Sequence, residues 1–136
     1  MTRYLLDANV VLRFLRDDHR TLSRKASALF ESAAAGDCTI VLPTVVLAEC
    51  VWVLRSFYDE SHERVANVLT ALVTSPGIAT DEPEVTVDAL ARMAAHRLDY
   101  ADCYLAARAA RSDEPIASFD RDLDRFDDVR RWVAPE

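Results

Sequence analysis

The sequence predicts an α/β fold, with a central, mostly parallel sheet of four to five short strands flanked by helices. Three observations predict it. Short apolar segments alternate along the chain with longer stretches of helical apolar spacing, and strands separated by helices pair in parallel through right-handed crossovers. Half of the 136 residues are apolar (51%), enough for a core without disulfide or metal staples. Two of the short segments, Arg3-Tyr4-Leu5-Leu6 and Ile116-Ala117-Ser118-Phe119, run directly into an aspartate. An aspartate there stands at the carboxyl edge of a parallel sheet, where open α/β sheets bind ligands.

The elements follow in order. Arg3 to Leu6 reads as a buried strand ended by Asp7, and Val10, Val11, Phe14 and Leu15 suit one face of a short helix broken by Asp17-Asp18-His19. Thr21 to Ala35 predicts a second helix, with Leu22, Ala26, Leu29 and Phe30 inward and Gly36 after its end. Thr39 to Leu42 is a strand stopped by Pro43. Thr44 to Phe57 is the most apolar helix, expected to be buried nearly all round. Asp59-Glu60-Ser61 separates it from an amphipathic helix reaching about Val73, and Pro76-Gly77 turns into a short, weak strand at Ile78-Ala79. Glu84 to Leu98 and Asp102 to Arg111 predict two more helices. Pro115 to Ser118 predicts a strand, and Arg131-Trp132-Val133 a final edge strand. There is no internal repeat, low-complexity tract or Gly/Ser linker, so residues 1–136 are expected to form one domain.

Composition narrows the function classes. A net charge of −7 argues against nucleic-acid binding through a basic surface alone, because phosphate affinity draws on Lys and Arg. It leaves open a nuclease whose metal ions meet the phosphate, or an acidic dock for a basic peptide. Cys38, Cys50 and Cys103 lack metal-ligand spacing and sit in or beside apolar segments, as small buried hydrophobes do. His19, His62 and His96 lie far apart, so a zinc site or a Cys/His nucleophile has little support. No apolar run reaches membrane-spanning length, and the N-terminus reads as a strand, so a cytoplasmic protein is expected.

Acids at strand and helix ends carry the chemistry. Asp7 either caps the helix that follows or works at the sheet edge. Glu49 is the only charged residue between Val45 and Leu54, so it faces a partner, a solvated cleft or a single wet stripe. Asp99 and Asp102 open a helix three residues apart, and capping or the helix dipole explains one of them but not both. Asp120, Asp122 and Asp124 alternate as in a calcium loop, but the sixth position is Arg125 where glycine is needed and the twelfth is Arg131 where glutamate belongs. Asp122, Asp124, Asp127 and Asp128 are therefore expected to form a solvated acidic turn balanced by Arg121, Arg125 and Arg130. Taken together, Asp7, Glu49, Asp102 and Asp120 form an oxygen-donor set suited to Mg²⁺ or Mn²⁺.

Four short motifs, Leu6-Asp7-Ala8-Asn9-Val10, Leu47-Ala48-Glu49, Leu98-Asp99-Tyr100-Ala101-Asp102 and Ser118-Phe119-Asp120-Arg121-Asp122, stand in an order and at separations similar to those of PIN-domain ribonucleases. The chain most resembles the VapC-type toxins of bacterial toxin–antitoxin pairs, over essentially its whole length. The resemblance implies metal and catalytic roles for Asp7, Glu49, Asp102 and Asp120. It implies accessory roles for Asn9, Asp99, Ser118 and Asp122. It further implies Mg²⁺- or Mn²⁺-dependent endonucleolytic cleavage of RNA, a homodimer, and a cognate antitoxin whose tail covers the acidic groove. Arg13, Arg16 and Arg121 flank these motifs, but surface arginines are usually solvated. Of the aromatics able to stack bases, Trp52, Tyr58, Tyr100 and Trp132, the first is expected in the core. Three rival readings remain: an Asp7-nucleophile phosphatase, against which Asn9 stands where such folds carry a second aspartate; a non-catalytic acidic docking module; and a nuclease acting on DNA flaps, against which the compact length speaks.

Overall fold

A computed structural model describes residues 1–135. The chain runs β1 (Thr2–Leu5), α1 (Ala8–Arg16), α2 (Arg20–Ala34), β2 (Cys38–Leu42), α3 (Thr44–Ser56), α4 (His62–Val73), β3 (Ile78–Thr80), α5 (Pro83–His96), α6 (Tyr100–Ser112), β4 (Ile116–Ala117), a 3-10 turn (Arg121–Arg125) and β5 (Arg131–Trp132). Helical apolar spacing located all six helices to within a few residues at each end. No helix among the described residues is long and apolar enough to cross a membrane.

β1, β2 and β3 form a parallel sheet in that order, with β2 central and its Ile40 and Leu42 fully buried. In register, Leu5 lies opposite Val41 and Leu42 opposite Thr80. The Leu6 amide donates to Val41 O at 2.9 Å, so pairing reaches the residue before Asp7. Asp7, Pro43 and Asp81 thus follow three strands off the same carboxyl edge. There Asp81 accepts from the Thr44 amide at 2.9 Å and serves as the N-terminal cap of α3.

The expectation of one four- to five-stranded sheet is corrected: β4 and β5 pair in parallel as a separate two-stranded sheet. β4 has only Ile116 and Ala117, Pro115 before it has no N–H, and the Ile116 amide donates to Arg130 O on the β5 side. Among the described residues, β1 pairs with β2 alone. β1 is accordingly an edge strand with all its residues exposed, rather than the buried strand the sequence suggested; Leu6, just after it, is the buried residue.

The core gathers β2, the inner faces of α3 and α4, and the pair α5–α6, where buried Ala106 and Ala107 let the helices approach closely. Gly77, at φ +83°, sets β3 against α2: a Cβ there would come within 2.3 Å of Ala33 O. The three cysteines are free and buried, as expected.

α3 departs from its forecast. It packs inward through Leu47, Cys50, Val51 and Leu54, but Val45 and Trp52, seven residues apart on one stripe, are 76% and 67% exposed. Leu22 on α2, expected inward, is exposed as well. Hydropathy counts apolar residues and cannot tell which face a neighbour covers.

Candidate metal centre

Asp7 occupies the N-cap of α1 with extended backbone (φ −88°, ψ 151°), yet its side chain makes no capping hydrogen bond. Asp99, at the N-cap of α6, makes none either. Capping therefore does not account for either acid. Glu49 is exposed on α3 beside buried Cys50, whose thiol is pushed up to about 12 by burial first and then by the charges of Glu49 and Asp7. Both carboxylates thus act on one thiol, which draws α1 and α3 into a single neighbourhood.

Asp102, in the first turn of α6, is the least exposed of the four main candidates. Its carboxyl is raised above the ordinary aspartate value, by burial first and then by Asp120, Asp99 and Asp122. The acids of α6 and of the segment after β4 therefore meet at Asp102. Asp120 starts the 3-10 turn; its Oδ1 accepts from the Asp122 amide at 2.9 Å, and its own amide donates to Ser118 Oγ at 3.0 Å. Ser118 shapes the turn that presents Asp120. Asn9 is exposed on the first turn of α1.

These acids stand without cationic partners. Among the described residues, none of Asp7, Glu49, Asp99, Asp102, Asp120 and Asp122 forms an ion pair, whereas Asp18, Glu60, Glu82, Asp88, Asp113, Asp124 and Asp128 all do. Only oxygen donors are on offer, and their charge is uncompensated, which suits a hard divalent cation. As the side chains stand, no three His, Cys, Asp or Glu groups among the described residues converge on one ion position.

The acidic turn after β4 is held differently from the expectation. Arg131, from β5, takes Asp124 in a two-pronged grip (Nε–Oδ1 2.9 Å, Nη2–Oδ2 3.1 Å) and donates through Nη1 to Ser118 O at 3.2 Å. Arg92, on α5, makes the same kind of grip on Asp128 and also holds Asp88. Arg125 instead donates to His96 O, and Arg130 pairs with Asp113. Sequence reasoning missed Arg131, Arg92 and Asp81, because each acts through a partner set by the tertiary fold rather than by local spacing.

A family model described as PIN domain matches residues 4–129, a span that holds all the candidate acids. The chain belongs to the PIN-domain family. PIN domains are generally metal-dependent nucleases and typically bind divalent metals. A search of curated proteins found no match to the chain.

Proposed function

We propose that this PIN domain is a Mg²⁺-dependent endoribonuclease, the toxin of a toxin–antitoxin pair, acting as a homodimer restrained by a cognate antitoxin. One observation carries the reading. Asp7 and Asp99 stand at helix N-caps without making a cap hydrogen bond, and the Asp102 carboxyl is raised by burial and by the acids around it, with no cation among the described residues paired to any of the three. The VapC-like motif order in the sequence supports the toxin assignment.

In this reading Asp7, Glu49, Asp102 and Asp120 would hold the ion, with Mn²⁺ able to replace Mg²⁺. The chemistry such an ion supplies when bound is Lewis acidity: a more acidic water and neutralised phosphate charge. The chain's own part is to orient the ligands. α1 and α3 present Asp7 and Glu49 from the sheet edge, the first turn of α6 presents Asp102, and the turn fixed by Ser118 presents Asp120. Asp102 holds its proton more tightly than an ordinary aspartate and gives it up to a cation. Asn9, on the first turn of α1 two residues after Asp7, and Asp99, at the N-cap of α6, would be the site's neutral and acidic companions. Hydrolysis by this route leaves a 5′-phosphate and a 3′-hydroxyl, and needs neither a 2′-hydroxyl attack nor a histidine pair.

The test is cleavage of a labelled total-RNA pool with Mg²⁺, with Mn²⁺ and with EDTA, with Asp7→Asn and Asp102→Asn alongside. Metal-dependent cuts with 5′-phosphate ends, absent in both folded variants, are the expected result. Well-folded, antitoxin-free protein that cuts nothing under either metal overturns the nuclease. One observation favours a second reading, an acidic dock for a basic partner: the acids do not converge on one point as they stand. Partner binding that survives EDTA would support it.

A further inference from the structure

A cavity of about 460 Å³ opens where α3, the start of α4, α5 and the start of α6 meet, with Ala48, Trp52, Arg55, His62, Asp99 and Tyr100 in its lining. It adjoins the acids directly, since Ala48 precedes Glu49 and Asp99 occupies the N-cap position of the helix that carries Asp102. Trp52 contributes an indole left 67% open to solvent. An exposed aromatic face beside a cleft is a stacking platform.

Arg55 and Asp99 line this cavity, and Arg97 stands two residues before Asp99 at the end of α5. Arg13 and Arg16, which the sequence offered as phosphate contacts, are tied to Asp18 and Glu60. Arg55 and Arg97 have no carboxylate partner among the described residues; Arg55 donates only to Glu60 O, at 2.7 Å. Both lie close enough to His62 for their charges to act on it, against Asp99 on the other side. Two uncompensated arginines thus stand beside uncompensated carboxylates in a protein of net charge −7. A phosphodiester chain complements both halves, with its phosphates on the arginines here and a scissile phosphate at the acids through a metal ion.

We propose that this cavity seats one unpaired nucleotide of the RNA substrate beside the scissile phosphate, its base stacked on Trp52 and its phosphate met by Arg55 and Arg97. This assignment rests on the nuclease reading of the adjoining acids. It restricts the substrate to single-stranded RNA, because a paired base cannot leave its stack for the indole without cost.

The experiment is fluorescence anisotropy of a fluorescein-labelled single-stranded hexaribonucleotide pool, in EDTA and across a NaCl series. Wild type, Trp52→Ala, Trp52→Phe and Arg97→Asn are compared, each checked by circular dichroism, sedimentation velocity and RNA cleavage with Mg²⁺. Asn suits the left-handed backbone at position 97 (φ +56°), so that variant removes charge and leaves the turn intact. Expected are about tenfold weaker binding for Trp52→Ala, recovery of most of it in Trp52→Phe, and a salt slope reduced by about one in Arg97→Asn. Wild type that cleaves RNA, with variants that match its affinity and salt slope, overturns the subsite and leaves the nuclease standing. Wild type that neither binds nor cleaves overturns both. Trp52→Ala that dissociates a dimer while keeping full RNA affinity overturns the subsite in favour of a self-contact.

Discussion

Asp102 brings two opposed effects onto one carboxylate. An acid in the first turn of a helix is stabilised by the helix dipole, by about 0.3–1 kcal/mol near a surface. Against this stand burial and the neighbouring charges of Asp120, Asp99 and Asp122, and together they win, since the carboxyl is raised above 3.8. The sign follows. The folded state holds this proton more tightly than the unfolded chain, so the contribution to stability is fully present below about pH 3.8 and is lost as pH rises through the raised value. At pH 7, metal-free wild type therefore carries a cost that Asp102→Asn removes. Thermal melts in EDTA should show Asp102→Asn at least as stable as wild type at pH 7, with the gap closing toward pH 4. A variant that melts well below wild type at pH 7 would show that the dipole or an unseen contact dominates. Spacing alone singles the acids out as candidates. What spacing left open was whether Asp7 and Asp99 merely cap helices, because that depends on where a side chain turns, and neither turns to its helix.

Among the elements, the segment from β4 to β5 shows how the site is held. Ser118 and Asp120 sit on a turn with few apolar anchors, Leu123 and Phe126 being the buried ones. Arg131 ties that turn to β5 by gripping Asp124 and the Ser118 carbonyl together. Lysine keeps the charge but cannot make the planar two-pronged grip. Arg131→Lys should therefore weaken Mg²⁺ binding about tenfold in a calorimetric titration, as loss of an outer-sphere support typically does. Its melting temperature should change little, since partly exposed ion pairs contribute at most about 1 kcal/mol. Equal Mg²⁺ affinity in the variant would show that Asp120 needs no such brace. The helices could be read from sequence because their signal is local and repeats every turn. Division of the strands into two sheets could not, since it depends on which distant strand the Ile116 amide meets, β5 rather than β1. The outward face of α3 was hidden for a related reason: Val45 and Trp52 have core-like composition and lack a neighbour to cover them.

For the whole molecule, the excess of acids over bases gives net charge −7, and the six candidate acids belong to the part of that excess that forms no ion pair among the described residues. Two kinds of cation can relieve it, and they are distinguishable. Monovalent salt screens all surface charge diffusely, over a Debye length of about 8 Å at physiological ionic strength. A divalent ion held by several carboxylates binds the native state alone, and at a hundred times its dissociation constant adds about 2.7 kcal/mol. For a chain of this length that corresponds to a rise of roughly 9 °C in melting temperature. Mg²⁺ should produce this rise where NaCl of equal ionic strength does not. Asp7→Asn, Glu49→Gln, Asp102→Asn and Asp120→Asn should each lose most of it. Glu114→Gln, at an exposed acid beyond α6, should keep it. If NaCl reproduces the full shift, the acids act as a diffuse field rather than a coordination sphere. If Glu114→Gln loses as much as the other four, the response belongs to net charge alone. Only a shift specific to Mg²⁺ and to those four positions places a cation among them, and it does so without any assay of RNA cleavage.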